Sequence, residues 1–227
     1  MSRDPLWQQI FGTRPWGKYP SEELIRFFAA HFYARPVRQD VKVFEVGFGT
    51  GANLWYAARE GFSVYGLEGA PAGCEIALQR LDAEVPGWLT HGSQLSVGDM
   101  CDPLLWPDHS FDAVVDCNAV MCVSHEAACR VYAELYRITR PGGRLFVRTS
   151  AAGTWGDGSG EACGYGAWRC SEGPFVGTGV VRFATESDLT QLLGPWQLLS
   201  LELVTRTLAN RSKHHTEWVL SAVKGDL

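Results

Sequence analysis

Three glycines within five residues, Gly47, Gly49 and Gly51, follow directly on the apolar run at 41–46. The β-branched and aromatic residues of that run predict a buried strand, and the residues after Gly51 have helical periodicity. Glycine at a junction between strand and helix permits a tight turn and lets a ligand contact the backbone. The start of the helix adds unpaired N–H groups. We therefore expect a binding turn between the first strand and its helix.

Strand-like and helix-like patterns alternate from Val41 to about residue 149. This alternation predicts βαβ units and a parallel sheet. Two further strand-like runs end the chain, and residues 209–217 join them, which is too few for a crossover helix. The last two strands should therefore form an antiparallel hairpin. The strands predicted before that hairpin are 41–46, 63–67, 94–97, 111–116 and 144–149.

The composition divides the chain into an N-terminal segment and one main domain. Residues 1–40 are predicted to be a helical cap segment, in which Ser21 is the N-cap of a helix. Residues 41–227 are predicted to be the domain that carries the sheet. Within it, residues 151–179 hold nine glycines and several aromatic residues. A segment of that length is usually functional rather than a connector, so we expect a lid loop.

Charge and cysteine content argue against several classes of protein. The net charge is −5 and basic residues are not clustered, so nucleic acid is not the expected partner. No apolar run approaches the length of a membrane helix, and the N-terminus lacks the apolar core of a signal peptide. Seven scattered cysteines predict reduced thiols in a cytoplasmic protein. Cys163, Cys170 and the histidines of the predicted final turn, His214 and His215, lack the spacing of a zinc site, so no metal is expected.

Two acidic residues accompany the glycines. Glu68 ends the second strand, 21 residues after Gly47, where a carboxylate can accept both hydroxyls of a ribose. Glu45 lies in an otherwise apolar strand end, where an unpaired carboxylate would be costly. It either caps local backbone N–H groups or also helps to bind a cationic amino-acid group. The spacing G-x-G-x-G differs from the G-x-G-x-x-G of dinucleotide sites, which disfavours a nicotinamide-dependent oxidoreductase.

The stretch Glu45-Val46-Gly47-Phe48-Gly49-Thr50-Gly51 resembles the first motif of class I S-adenosylmethionine-dependent methyltransferases. The resemblance continues to residue 149 through the stretches GDM (98–100), FDAVVDCNAV (111–120) and ITRPGGRLFV (138–147). It implies an α/β, Rossmann-like fold with a seven-stranded, mostly parallel sheet, helices on both faces and an antiparallel last strand. The cofactor that it implies is S-adenosyl-L-methionine.

The resemblance also implies roles for single residues around that cofactor. Glu68, which Gly69 follows, corresponds to the acid that binds the ribose. Asp99 corresponds to the acid that contacts the adenine amino group, and Met100 to the residue that packs on the adenine ring. Asp116 corresponds to a residue of the loop after strand four, which faces cofactor and substrate. It could orient an acceptor, but we expect it to contact the cofactor.

Four residues are candidates for catalysis or for closing the site. His125 starts the helix after strand four and could be a general base, although a surface position explains it equally well. Asn118 could orient the acceptor. Tyr19 precedes the first helix, which in this class often folds over the cofactor. Arg26 could pair with the methionine carboxylate or form a surface ion pair. A base is needed only where the acceptor keeps a proton.

The expected reaction is in-line transfer of a methyl group from S-adenosylmethionine to a hydroxyl or amine of a polar small molecule, such as a secondary metabolite or a sugar intermediate. Most of the acceleration would come from positioning. The residues 116–119, DCNA, differ from the DPPY or NPPY of many enzymes that methylate amides and nucleic acids. Alternatives are a protein methyltransferase, which would need an open groove, and a non-catalytic binding protein that retains the fold. We expect a monomer or homodimer.

Overall fold

The computed structural model describes residues 5–225. Residues 1–4 of the predicted cap segment and residues 226–227 of the predicted main domain lie outside the described residues. The strands of the described residues are β1 (Lys42–Val46), β2 (Ser63–Glu68), β3 (Gln94–Val97), β4 (Phe111–Cys117), β5 (Thr139–Ser150), β6 (Glu161–Gly164), β7 (Ala167–Arg169), β8 (Val181–Arg182), β9 (Gln197–Leu208) and β10 (Lys213–Val223).

Seven of these strands form one sheet in the order β3-β2-β1-β4-β5-β10-β9. Strands β1 to β5 run parallel, and β10 runs antiparallel to both β5 and β9. The predicted seven-stranded, mostly parallel sheet is thus confirmed. Val46 lies opposite Leu67 of β2 and Asp116 of β4, so the carboxyl ends of these three strands meet at one edge. The strand order reverses between β1 and β4, where open α/β sheets form a ligand crevice.

Helices cover both faces of the sheet because successive residues of each strand point to opposite sides. The helices of the described residues are α1 (Pro5–Thr13), α2 (Glu22–Phe32), α3 (Ala52–Arg59), α4 (Pro71–Glu84), α5 (His125–Ile138) and α6 (Glu186–Leu193). Val43 packs in the apolar layer beneath α2, α3 and α4, whereas its neighbour Phe44 packs in the layer beneath α5 and α6.

The N-terminal segment packs against the sheet layer at two places. Ser21 caps α2 as predicted, since its side chain accepts a hydrogen bond from the backbone N–H of Leu24. Phe27 of α2 reaches the central sheet, where its ring centroid lies 5.3 Å from that of Phe146. Helix α1, which the sequence patterns did not predict, packs on α4 and buries Ile10. The division of the chain at residue 40 stays a prediction.

The predicted lid loop, residues 151–179, contains regular structure of its own. Strands β6 and β7 lie within it and join β8 in a small antiparallel sheet. Cys170 of this loop packs with Phe183 and with Met121, which follows β4. The loop is therefore packed over the carboxyl ends of the central strands.

The C-terminal hairpin is antiparallel, as predicted, but its turn is shorter than residues 209–217. The chain reverses within residues 209–212, because three successive residues adopt positive φ there. Strand β10 consequently begins at Lys213. The prediction that His214 and His215 lie in a turn is wrong, since both belong to β10.

Three further features concern residues 5–225 as a whole. Within that range, no helix combines the length and the apolar content needed to cross a membrane. The same residues contain no group of three or more His, Cys, Asp or Glu side chains arranged for a metal ion. None of the seven cysteines forms a disulfide bond.

Candidate active site

The turn between β1 and α3 depends on glycine. Gly47 and Gly49 have φ angles of +63° and +54°, which residues with a side chain rarely adopt. The backbone N–H of Gly47 donates to the carbonyl of Leu67 at 2.7 Å, which ties the turn to β2. A Cβ atom on Gly47 would lie 2.3 Å from that of Ala119. The backbone of this turn therefore lies directly against the residues that follow β4.

Glu68 at the end of β2 holds the same turn from the other side. One carboxylate oxygen accepts from the backbone N–H of Gly49 at 2.7 Å, and the other accepts from that of Ala70 at 2.8 Å. Burial raises the pKa of Glu68, while hydrogen bonds from Ala70, Gly49 and Gly69 act in the opposite direction. A carboxylate offers about four acceptor positions, so both oxygens can accept further hydrogen bonds from a ligand.

Glu45 is a second buried acid beside the turn and is 2% exposed. Its Oε1 accepts from the side-chain amide of Asn53 at 2.6 Å, whereas Oε2 has no partner among the described residues. Burial raises the pKa of Glu45 to about 8, and the nearby carboxylates of Asp116 and Glu68 add to this effect. A cationic group close to Glu45 would stabilise its charged form.

A cavity of about 400 Å³ extends from the glycine turn to the loop 151–179. This volume is within the range of small-molecule sites. The residues before α2 and the aromatic residues of α1 line one part, and the loop and the residues after β4 line another. Its lining residues include Trp7, Phe11, Trp16, Tyr19, Glu45, Gly47, Gly49, Glu68, Gly69, Met100, Cys117, Asn118, Met121, Cys122, Val123, Arg148, Pro174, Phe175 and Thr178.

A polar cluster borders this cavity around Glu217 of β10, which is 1% exposed. The carboxylate of Glu217 accepts from Asn118 Nδ2 at 2.9 Å and from Arg148 Nη2 at 2.5 Å. Arg206 Nη2 and His215 Nε2 each lie 3.4 Å from it. Burial opposes its ionisation, but bonds from His215, Arg148 and Asn118 hold the pKa of Glu217 at about 2. Glu217 is therefore ionised at neutral pH.

The structure brings eight of the predicted site residues to the cavity wall. They come from the N-terminal segment, the glycine turn, the ends of β2 and β3 and the segment after β4. These residues are Tyr19, Glu45, Gly47, Gly49, Glu68, Gly69, Met100 and Asn118.

Gly51 and Asp99 adjoin the site without lining the cavity. Gly51 is the N-cap residue of α3, and a Cβ atom on it would lie 2.6 Å from that of Ala77. Its role in the described structure is close packing of α3 on α4. The side chain of Asp99 accepts from the backbone N–H of Cys101 at 2.8 Å and thereby shapes the turn before the cavity residue Met100.

Asp116 does not reach the cavity, contrary to its predicted contact with the cofactor. Its side chain is fully buried and accepts from Tyr132 Oη at 2.7 Å. The backbone N–H groups of Ala119 and Val120 donate to its other oxygen. Because these three bonds engage both oxygens, Asp116 fixes the chain after β4 and orients Asn118 and its neighbours.

Arg26 and His125 also lie outside the cavity, so their predicted roles are not supported. Arg26 pairs with Glu22 one helical turn earlier, on the exposed face of α2. That face is opposite to the one that buries Phe27. His125 begins α5 beyond the capping residue Ser124, and its ring packs edge-on against Tyr165.

The sequence patterns missed residues in and beside the cavity wall that tertiary contacts bring there. The sequence predicted Arg148 only as part of a strand and Glu217 only as part of the C-terminal hairpin. The signal for both was a charged residue within an apolar strand pattern. Phe175 and Thr178 belong to the predicted lid loop, but the sequence did not single them out as residues of the site.

Comparison with known proteins relates part of this chain to a protein family. Residues 44–147 match the family model described as "Methyltransferase domain". The chain is 32% identical over 109 residues to the demethylmenaquinone methyltransferase of Tropheryma whipplei (strain Twist). That alignment covers 47% of this chain and 40% of the relative, so the chain spans less than half the length of the curated relatives it matches.

Solved structures share the fold over most of the chain. A SAM-dependent methyltransferase from Methanosarcina mazei superposes with a TM-score of 0.67 and 20% identity, covering 87% of this chain and 97% of that one. The [4+2]-cyclase SpnF superposes with a TM-score of 0.63 and 19% identity, covering 97% of this chain and 92% of that one. Identities this low show the fold alone.

The residues of the turn fit the cofactor of this family. The buried Oε2 of Glu45 lacks a partner among the described residues, and Glu68 keeps acceptor positions that ribose hydroxyls can use. Any side chain at Gly47 would collide with Ala119, so the bare backbone of the turn is required. Together with the matched residues 44–147 and the sheet order, these features make the chain similar to class I S-adenosylmethionine-dependent methyltransferases.

Proposed function

We propose that this chain transfers a methyl group from S-adenosyl-L-methionine to a hydroxyl or amine of a small molecule. The observation that carries the proposal is the cavity. The glycine turn lines one part of it, and Asn118, Arg148 and Phe175 line another. One continuous space can hold a cofactor and an acceptor side by side. Its acceptor part lies at the carboxyl ends of β4 and β5, where this class of fold binds ligands.

The turn and its two acids would hold the cofactor. Glu68 would accept the ribose hydroxyls, Met100 would pack on the adenine ring, and Glu45 would face the cationic amino-acid group. When bound, S-adenosyl-L-methionine supplies a methyl group on a sulfonium, which departs as a neutral thioether and needs no general acid. The chain's contribution is then to hold the acceptor in line and to keep water out.

Aromatic and loop residues would exclude water from the reacting atoms. Trp16 and Tyr19 lie on the N-terminal side of the cavity, and Pro174, Phe175 and Thr178 lie on the loop side. None of the cavity-lining residues in the described range is a histidine. Positioning therefore supplies most of the acceleration in this proposal, and the proton that a hydroxyl or amine acceptor loses passes to solvent as the product leaves, because the described cavity lining offers no imidazole to take it.

A small-molecule acceptor is favoured over a protein. The loop 151–179 packs over the carboxyl ends of the strands and contributes to the cavity wall, which leaves little room for a polypeptide. A secondary metabolite or a sugar intermediate fits this space, and a cytoplasmic location remains our prediction. A non-catalytic binding protein would share the fold, because fold alone does not decide the chemistry.

The experiment is a labelled methyl-transfer screen. The purified chain is incubated with S-adenosylmethionine that carries a labelled methyl group and with a panel of hydroxylated and amine metabolites. Product should form with at least one acceptor and should disappear in Glu68→Ala. Binding of S-adenosylhomocysteine without transfer to any extract fraction would favour the non-catalytic alternative. Labelling of proteins in the extract would favour the protein methyltransferase.

A further inference from the structure

The polar cluster around Glu217 is the charged feature that borders the cavity away from the glycine turn. Two of the four groups that contact its carboxylate, Asn118 and Arg148, also line the cavity. Asn118 has a φ angle of +60°, which is uncommon for a residue with a side chain. Such backbone strain persists where surrounding contacts fix the residue. The bond to Glu217 is one of these contacts.

We propose that Asn118 and Arg148 bind the acceptor through a neutral hydroxyl group, and that Glu217 is the residue that positions both of them. The inference rests on the methyl transfer proposed above and names the class of acceptor: an uncharged, hydroxylated molecule with an apolar framework. Met121, Val123 and Phe175 supply the apolar wall for that framework.

The orientation of the Asn118 amide follows from the charge of Glu217. An ionised carboxylate only accepts hydrogen bonds, so the NH₂ group of Asn118 must face Glu217. The carbonyl oxygen of Asn118 then points away from Glu217, and it is buried without a partner among the described residues. A buried acceptor in this state is costly until a donor reaches it. An O–H group that enters the cavity beside Asn118 can satisfy it.

Arg148 supplies donors but little net charge. Its Nη2 donates to Glu217, and its Nη1 lies 4.0 Å from the carboxylate of Glu23. Apart from the ring of His215, the groups around Glu217 are the guanidinium groups of Arg148 and Arg206 and the carboxylates of Glu217 and Glu23. Because these charges balance, an anionic acceptor would gain little attraction to offset its loss of water. A hydroxyl group both accepts from Arg148 and donates to Asn118, and thus suits the pair.

The first test compares two probes that share one ring. Trans-cyclohexane-1,2-diol and cyclohexanecarboxylate are each titrated into the chain saturated with S-adenosylhomocysteine, and saturation-transfer NMR measures their binding. The diol should bind at least about tenfold more tightly than the carboxylate. Tighter binding of the carboxylate overturns the proposal, and so does the absence of diol binding at millimolar concentration.

Four variants connect this preference to the cluster. Asn118→Gly removes the side chain at a φ that glycine tolerates. This variant should bind the diol more weakly, with an unchanged affinity for S-adenosylhomocysteine. Glu217→Gln should also weaken diol binding. Glu217→Asp keeps the charge and should retain part of the wild-type affinity for the diol. Glu23→Gln removes one balancing carboxylate and should raise the affinity for cyclohexanecarboxylate. Wild-type diol binding in both Asn118→Gly and Glu217→Gln contradicts the assignment.

Kinetics on an acceptor found by the labelled screen separate this inference from the proposed function. Glu217→Gln should raise the KM for the acceptor more than it lowers kcat, with unchanged S-adenosylhomocysteine binding. If transfer occurs and both constants stay at wild-type values, the positioning role of Glu217 fails while the methyltransferase stands. If S-adenosylhomocysteine does not bind to the wild-type chain, the proposed function itself fails. Thermal unfolding of each variant shows whether it folds like the wild type. If Glu217→Gln is defective in folding, the diol affinity of Asn118→Gly decides whether the cluster binds the acceptor.

Discussion

The carboxylate of Glu68 accepts a hydrogen bond from the backbone N–H of Gly49 at 2.7 Å, although the two residues are 19 positions apart. This bond joins the end of β2 to the turn after β1. The acid that would bind the ribose therefore also holds the turn that would carry the rest of the cofactor. Loss of Glu68 should affect both.

Glu68→Ala should weaken the binding of S-adenosylhomocysteine by roughly 2 kcal/mol, because two charge-assisted hydrogen bonds to the ribose are lost. Isothermal titration calorimetry measures the change. Glu75→Ala is the matched control, since Glu75 lies exposed on α4 and contacts only the side chain of Gln79 in the described hydrogen bonds. Equal affinities of Glu68→Ala and the wild type would remove Glu68 from the site.

Gly47→Ala should destabilise the chain and abolish cofactor binding, because its Cβ atom would lie 2.3 Å from that of Ala119 at a φ of +63°. Gly153→Ala is the control: its φ is +83°, but a Cβ atom added there would meet nothing within 4 Å, so backbone strain of about 1 kcal/mol is expected. The double variant Gly47→Ala with Ala119→Gly should recover part of the loss. Chemical denaturation measures all three, and equal effects of the two single variants would contradict the close approach.

The affinity for S-adenosylhomocysteine should rise with pH up to about pH 8, the pKa of Glu45 in the free chain. Glu45 is protonated below that pH, and a bound ammonium group favours its charged form, so binding releases a proton. Calorimetry in buffers of different ionisation enthalpy detects this proton. Glu45→Gln should make the affinity independent of pH in this range. A wild-type affinity that is flat between about pH 6 and pH 8 would show that the cationic group lies elsewhere.

Arg26→Ala and His125→Ala should each leave the affinity for S-adenosylhomocysteine within about twofold of the wild type, because neither residue lines the cavity. Arg26 pairs with Glu22 at the surface, and His125 packs on Tyr165 outside the cavity. Binding isotherms test both variants. A tenfold loss in Arg26→Ala would restore its predicted contact with the methionine carboxylate.

The glycine turn and the acid after it were predicted from one stretch of chain. Gly47, Gly49 and Glu68 are recognisable because a strand, a turn, a helix and a second strand follow each other at a fixed spacing. The same pattern predicted the parallel sheet, since each βαβ unit must return its strand to the same sheet. Residues whose position depends on this local order lie where they were expected.

The remaining parts depend on contacts that no local pattern encodes. Arg148 and Glu217 are 69 positions apart and meet because β10 pairs with β5. Asp116 lies at the end of β4, but which way its side chain turns depends on Tyr132 of α5. Arg26 lies between apolar residues of α2 in sequence, and the burial of their stripe against the sheet turns Arg26 outward. In each case the position of the side chain depends on tertiary packing, which the local sequence pattern does not encode.

The central claim is that the turn between β1 and α3 carries S-adenosylmethionine in the cavity that also receives the acceptor. A crystal structure of the chain with S-adenosylhomocysteine tests it most directly. We predict ribose hydroxyls within hydrogen-bonding distance of Glu68, the adenine against Met100, and free space left beside Asn118 and Arg148. Density for the ligand outside this cavity, or a ligand that fills the space beside Asn118 and Arg148, would contradict the account.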